Sequence, residues 1–240
     1  LKEAALMFEK PKLILEKHYG KNHIVVARTL TSLSRAYDDK DDQEKRIMAL
    51  RQALAIKCDF FGEDHPETAK ARSNLGDCLR VNGMIKEALQ NFERALPIIL
   101  NFYGRNNVAY IYTLYDYALC LNAAGDYTQA QKALLETLSA AEQCHGVDSP
   151  HLTTYLKTIG ALYAVQNQHH VAIRYLERAV QLWIRNAGDQ HPDTAVAKWE
   201  LATVIIQTQE NLSMATKLIQ EAQSVLVDCQ DPKYRTVLNG

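Results

Sequence analysis

Two groups of side chains have the chemistry of a binding surface. The first group is basic and can pair with carboxylates; its members are Arg28, Arg35, Lys70 and Arg80. The second group combines aromatic and polar side chains: Tyr112, Tyr115, Asn122, Lys157 and Trp199. Tyrosine and tryptophan supply rigid contact area that often dominates the binding energy of protein interfaces. Together the two groups predict a surface for a peptide that offers acidic residues to the first group and apolar residues to the second.

Each of these residues also has a purely structural interpretation, and the sequence leaves both interpretations open. Tyr112 and Tyr115 could pack on neighbouring helices, and Trp199 could be covered by a further repeat. Any one of the basic side chains could be solvated, or paired with an acid about one turn away on its own helix. Their concentration on one helix face is the observation that favours binding.

Familiar catalytic and metal-binding motifs are missing from the chain. It has no H-E-x-x-H, no G-x-x-x-x-G-K-[ST], no G-x-G-x-x-G and no G-x-S-x-G. His169 and His170 are neighbours in a predicted turn, an awkward arrangement for binding one metal ion. Cys144 and His145 lack an evident third residue to orient the imidazole as a base. We therefore predict a protein that is not an enzyme and that uses no metal and no cofactor.

The overall composition is that of an ordinary soluble chain. Its 240 residues include 27 Lys and Arg against 28 Asp and Glu, so nothing favours nucleic acid as a partner. No apolar run is long enough for a transmembrane helix and no signal peptide is recognisable, so we expect no membrane insertion. The five cysteines are scattered and odd in number, which predicts reduced thiols and a cytoplasmic location.

Five glycines place the candidate binding residues in a repeating framework. Each lies 42 residues after the one before: Gly20, Gly62, Gly104, Gly146 and Gly188. A fixed period of this length is the signature of a stacked repeat architecture. It predicts a single array over 1–240, in which 1–19 is the second helix of a truncated repeat, 231–240 starts a further unit, and full repeats lie at 20–61, 62–103, 104–145, 146–187 and 188–230. Because the chain starts in mid-repeat, we expect a segment of a longer protein.

Each period predicts a pair of helices. Helix A follows the glycine, and helix B follows a short turn such as the one at Asn82 and Gly83. Small residues recur on both helices at repeating positions, for example Gly76 on helix A and Ala88 on helix B. They let two backbones approach closely, as an antiparallel helix pair requires. A rotation of about 100° per residue then places the candidate binding residues on the face of the A helices opposite the core.

One set of repeating positions resembles the tetratricopeptide repeat (TPR) signature: Leu75, Gly76, Leu79, Ala88, Phe92 and Ala95. The longer period, and the G-x-x-H-P joint from Gly62 to Pro66, are similar to the long repeats of kinesin light chains, nephrocystin and many bacterial TPR proteins. The resemblance implies an all-α fold, a right-handed superhelical solenoid of antiparallel helix pairs whose inner wall is lined by the A helices. It also implies a protein or peptide as the partner.

Two functions are consistent with this resemblance. The favoured one is a scaffold or adaptor that captures a short acidic and apolar peptide segment of a partner protein in the concave groove. The alternative is an intramolecular regulatory or self-assembly domain of a larger protein, for example a bacterial effector. In that case another part of the same polypeptide fills the groove, so the two functions differ in where the bound segment comes from.

Overall fold

The structure is an all-α fold. The computed structural model describes residues 2–37, 42–227 and 229, with side chains from residue 9 onward, and no strand occurs among them. In chain order the helices are α1 (Lys2–Tyr19), α2 (Ile24–Ala36), α3 (Gln43–Phe61), α4 (Pro66–Val81), α5 (Ile85–Tyr103), α6 (Val108–Ala123), α7 (Tyr127–His145), α8 (Leu152–Val165), α9 (His169–Ala187), α10 (Pro192–Thr208) and α11 (Leu212–Leu226). The further unit predicted from residue 231 lies outside the described residues.

The helices alternate with the predicted period, so that the even-numbered helices are helices A and the odd-numbered ones are helices B. The chain divides into two compact units, unit 1 over Leu1–Asp126 and unit 2 over Tyr127–Gly240. Within unit 1, each of α1 to α5 packs on the next helix, and α4 also contacts α6. Within unit 2, α7 to α11 pack in the same serial way. Contacts between successive elements are what a stack of helical hairpins produces.

A typical joint between repeats contains a glycine in the left-handed region and a side chain that caps the next helix. Gly62 has a φ of +88°, and its N–H donates to the carbonyl of Cys58 at 2.9 Å. Three residues later, Nδ1 of His65 accepts a hydrogen bond of 3.1 Å from the N–H of Glu67 and caps α4. The corresponding residues cap α2, α6 and α10 in the same way: His23, Asn107 and His191. These side chains satisfy a backbone N–H that the first turn of a helix otherwise leaves unpaired.

Small residues bring the two helices of a repeat together, as the sequence predicts. A Cβ atom added to Gly76 of α4 would lie 3.0 Å from the ring of Phe92 in α5. At the corresponding position in α8, a Cβ atom on Gly160 would lie 2.7 Å from Cγ of Leu176 in α9. Both distances are shorter than ordinary carbon contacts. In these two repeats, the small residue therefore lets one face of helix A lie directly against helix B.

Two repeats have a cation in the core where the other repeats have leucine. Lys198 of α10 is 4% exposed, and its Nζ lies 2.7 Å from both Oδ1 of Asp189 and Oε2 of Glu221. Arg72 occupies the same position in α4, is also buried, and pairs with Glu63. In the remaining repeats this position is apolar and buried: Leu30, Leu114 and Leu156. Each buried cation thus has an acid nine residues earlier, in the joint.

Candidate functional site

The predicted binding residues lie on the face of the A helices that points away from the core. The exposed side chains of α2, α4 and α6 form the unit 1 surface, and those of α8 and α10 form the unit 2 surface. On the unit 1 surface, Arg28 and Arg35 are exposed and have no ion-pair partner among the described residues. Tyr112 is 52% exposed, Asn122 is exposed, and Tyr115 is half-buried. These side chains are accessible to a ligand.

The other two predicted cations of the unit 1 surface already have acidic partners on their own helix. Nζ of Lys70 lies 3.2 Å from Oε1 of Glu67 and 4.6 Å from the centroid of the Tyr103 ring. Nη2 of Arg80 lies 2.7 Å from Oδ1 of Asp77. A carboxylate of a ligand would have to compete with these partners. Arg28 and Arg35 are therefore the more available cations of this surface.

Asp116 of α6 is a candidate that the sequence reasoning missed. Burial, and to a smaller extent the carboxylate of Asp77, raise the pKa of Asp116 to about 7, while the guanidinium of Arg80 opposes this shift. Near neutral pH, both the charged and the neutral form of this carboxyl group are therefore populated. A signal was present in the sequence, because every repeat has a polar residue at this position: Ser32, Asn74, Asp116, Thr158 and Glu200.

The unit 2 surface contains a cavity of 440 Å³ between α8 and α10. The predicted residues Lys157 and Trp199 both line it, so the fold brings them into one site. The other apolar residues of the wall are Ala161, Ala164, Leu176 and Val204, and its polar residues include Thr158, Thr203 and Gln207. Cavities of this size and composition commonly hold one large apolar group of a ligand.

The cavity exists because α8 has alanine where the preceding A helices have larger side chains. Ala161 corresponds to Leu119 in α6 and to Asp77 in α4. Ala164 corresponds to Asn122 in α6. Because alanine side chains are short, an open space remains next to Leu176, which lines the cavity from α9.

Glu200 of α10 also lines this cavity, and its two oxygen atoms are in different situations. Oε1 lies 2.9 Å from Nζ of Lys157, and this ion pair joins α10 to α8. Oε2 is buried and has no hydrogen-bond partner among the described residues. A buried acceptor without a donor costs the folded state about 1–3 kcal/mol.

The part of the chain that the structure describes has neither a group of metal ligands nor a membrane-spanning helix. No three His, Cys, Asp or Glu side chains in it are arranged to hold a metal ion. None of its helices combines the length and the apolarity needed to cross a membrane. The five cysteines are free, and two of them, Cys78 and Cys120, are buried.

Models of the tetratricopeptide repeat match most of the chain. One matches the overlapping segments 47–101, 67–143, 110–182 and 150–226. A second model of the same repeat matches 26–67. Together the matched segments contain ten of the helices described above, from α2 to α11.

Curated relatives are much longer than this chain. The Clustered mitochondria protein homolog of Aspergillus clavatus is 26% identical over 200 residues, which are 83% of this chain and 16% of that protein. The homolog of the same name from Aspergillus fumigatus is 25% identical over 200 residues, 83% of this chain and 15% of that protein. The chain therefore spans only a small part of the length of these relatives.

Two solved structures are similar in fold. The nearly identical TPR-like repeats of a kinesin light chain-like protein from Podosopora anserina superpose with a TM-score of 0.77 at 18% identity, over 87% of this chain and 98% of that one. BtubC (BKLC) from P. vanneervenii superposes with a TM-score of 0.78 at 16% identity, over 100% of this chain and 92% of that one. At these identities the likeness concerns the fold alone.

Proposed function

Because the chain belongs to the tetratricopeptide repeat family, whose stacked helices generally serve as protein-interaction scaffolds, we propose that its A helices bind a peptide segment of a partner protein. The unit 1 surface suits a segment that offers carboxylates, and the unit 2 surface suits a segment that offers an apolar side chain. The observation that supports this proposal most directly is the apolar cavity beside Trp199, which is open to solvent. None of the residues of unit 2 that the structure describes fills this space.

The residues of the two surfaces have different roles in this proposal. Arg28 and Arg35 bind acidic side chains of the segment, because no acid among the described residues competes for them. Tyr112 and Tyr115 supply aromatic contact area, and the amide of Asn122 can bond to the peptide backbone. The already paired cations contribute less: Lys70, Arg80 and Lys157.

A random peptide library displayed on phage tests the proposal. Peptides selected on the wild-type chain are synthesised and titrated by fluorescence polarisation against Arg28→Glu and Arg35→Glu. Each reversal should weaken binding by about tenfold or more, because a hydrogen bond to a charged group is lost and a repulsion is added. The matched control is Arg94→Glu, an exposed arginine on α5, a helix B. Failure to select any peptide, or equal affinities for all three variants, would refute the proposal.

An intramolecular role is the second candidate, and one observation favours it. The chain corresponds to 16% of the length of the Aspergillus clavatus relative, so a longer polypeptide has many segments that could occupy the same surfaces. In that case the selected peptides should bind the isolated array more tightly than they bind a longer polypeptide that contains it. Equal affinities would favour a separate partner protein.

The compartment and the partner are also part of the proposal. Free cysteines fit a reducing cytoplasmic location, which cell fractionation of the tagged full-length protein would test. The name of the curated relatives, clustered mitochondria protein, makes proteins that control the distribution of mitochondria the first partners to screen.

A further inference from the structure

We propose that a second cavity, between α9 and α11, is a docking site for a long basic side chain, a lysine or an arginine, of a partner protein. The cavity has a volume of 240 Å³, and the last turn of α10 and the turn that follows it also line it. This inference goes beyond the proposed function, because the site lies between two helices B and shares no wall residue with the cavity beside Trp199.

Apolar side chains from three helices line the cavity: Ile173 of α9, Ile205 of α10 and Met214 of α11. Ile205 is buried, Ile173 is half-buried and Met214 is exposed, so apolar surface extends from the core to the solvent. The methylene groups of lysine and arginine pack along such a surface while the charged end of the side chain stays near water. A volume of 240 Å³ has room for one such side chain.

Two carboxylates supply negative charge at the cavity. Glu177 of α9 is half-buried and Glu210 in the turn is exposed, and both line the cavity. Neither carboxylate has a hydrogen bond or an ion pair among the described residues. The described wall contains no lysine or arginine, and the exposed cations Arg174 of α9 and Lys217 of α11 lie outside it. A cation on a ligand would therefore be attracted to both carboxylates.

The turn between α10 and α11 holds Glu210 at the cavity. Gln209 and Asn211, its two neighbours, both have a left-handed backbone, with φ of 56° and 55°. The N–H of Glu210 donates to Oγ1 of Thr208 at 3.2 Å, and this hydroxyl group donates to the carbonyl of Ile205 at 2.7 Å. These bonds join the backbone of Glu210 to the end of α10. A backbone ordered in advance loses less conformational entropy when a ligand binds.

The charges and the apolar wall together select a long basic side chain over other ligands. A carboxylate would be repelled by both glutamates. An apolar side chain would use the wall but gain nothing from the two carboxylates. A cation on a short side chain would reach the carboxylates from solvent and leave the apolar wall unused. Lysine and arginine combine an apolar stem with a positive charge.

Four capped amino acids test the site without an identified partner. The basic probes are N-acetyl-argininamide and N-acetyl-lysinamide, the neutral isostere is N-acetyl-citrullinamide, and the cation with a short stem is N-acetyl-diaminobutanamide. Each is titrated into the 15N-labelled chain and followed by the amide shifts of α9, α10 and α11. We expect the arginine probe to bind about fivefold to tenfold more tightly than the citrulline probe, because two carboxylates attract its charge.

Two outcomes of these titrations would overturn the proposal. Equal affinities of the arginine and citrulline probes, or shifts that do not map to the residues around the cavity, would show that the carboxylates select no cation there. A short-stemmed cation that binds as tightly as the lysine probe would show that surface charge alone attracts the ligand, and that the apolar wall has no role.

Single carboxylate variants separate the cavity from the overall charge of the chain. Glu177→Gln and Glu210→Gln should each weaken the arginine probe about twofold to fivefold and leave the citrulline probe unchanged. Glu93→Gln is the matched control, because Glu93 is exposed on α5 at the same repeat position as Glu177 and lies outside the cavity. Thermal melts of the three variants verify that the fold is intact. Equal affinities for the arginine probe in all three variants would overturn the proposal.

Discussion

Lys198 and its two acidic partners should respond very differently to substitution, although they form one ion-pair network. Lys198 is 4% exposed, whereas the side chains of Asp189 and Glu221 are 51% and 37% exposed. Lys198→Leu introduces the residue that α2, α6 and α8 have at this position, and the carboxylates that remain still contact water. Asp189→Asn combined with Glu221→Gln instead leaves a buried ammonium group without a counter-charge.

The expected magnitudes follow from the cost of an unpaired charge in the core. Breaking a buried ion pair so that one charge stays unpaired costs about 3–5 kcal/mol, whereas an apolar side chain of similar volume is often nearly neutral. We therefore expect Lys198→Leu to change the free energy of unfolding by less than about 1 kcal/mol. For a domain of this size the double carboxylate variant should melt roughly 6–20 °C lower. The triple variant should return close to the wild type.

Urea unfolding followed by tryptophan fluorescence measures the free energy of unfolding of unit 2, which contains Lys198. Both tryptophans of the chain, Trp183 and Trp199, belong to unit 2. Burial lowers the pKa of Lys198, but the hydrogen bonds that its ammonium group donates to the carboxylates of Asp189 and Glu221 outweigh burial and raise the pKa above its ordinary value. A raised folded pKa gives stability that is complete below the unfolded pKa of lysine and lost as pH rises through the folded value. Near neutral pH the network is therefore fully charged.

A control variant and a contrary outcome test the expected difference between the Lys198 variants. Lys132→Leu on α7 is the control, because Lys132 is exposed and its loss should change stability by less than about 0.5 kcal/mol. An equal loss of stability in Lys198→Leu and in the double carboxylate variant would contradict this expectation. It would mean that the ion pairs themselves stabilise the core, and not that an unpaired charge destabilises it.

Three further substitutions test single features of the structure. His65→Ala should cost about 1 kcal/mol by removing the cap of α4, whereas His65→Asn, which copies Asn107, should cost a few tenths at most; thermal unfolding followed by circular dichroism compares them. Asp116→Asn should stabilise unit 1 by up to about 4 kcal/mol near pH 8 and have little effect near pH 4, as measured by urea unfolding. Its raised folded pKa gives stability that is present below the unfolded pKa and lost as pH rises through about 7. Gly160→Ala should cost about 1–3 kcal/mol by contact with Leu176, and less than additively when Leu176→Ala is present, in a double-mutant cycle.

Each of these expectations has a contrary outcome. Equal losses in the two His65 variants would show that the stacking of the imidazole on Phe61, with ring centroids 4.4 Å apart, matters more than the cap. An effect of Asp116→Asn that does not vary with pH would mean that the folded carboxyl titrates as an unfolded one does. Unchanged stability in Gly160→Ala would mean that α8 and α9 can separate at no cost.

The helical repeats were predictable because every copy solves the same local packing problem. Gly76 and Gly160 occur at the same position in helix A, and each faces a large side chain of helix B, Phe92 or Leu176. Such contacts join residues close in sequence, so a period of 42 residues and the small residues within it suffice to predict them. The same periodicity predicts which face of each A helix points away from the core.

For the candidate binding surface, the sequence predicts which helix face carries its residues but not which of its charges are paired. The pairs Lys70–Glu67 and Arg80–Asp77 lie three residues apart on one helix, so the sequence contained their signal. The pair Lys157–Glu200 and the buried state of Asp116 depend on side chains from different helices. No local pattern reports those distances.

The sequence alone therefore determined that this chain is a stack of TPR helix pairs and which face of each A helix is turned away from the core. Three features depend on the tertiary structure and were not predictable from the sequence. They are the acidic partners of the cations, the cavity beside Trp199 between α8 and α10, and the oxygen atom of Glu200 that lacks a donor among the described residues. The physical reason is range: helix formation and hairpin packing depend on neighbours in the chain, whereas ion pairing, burial of a carboxylate and open volume depend on distances of a few ångström between separate helices.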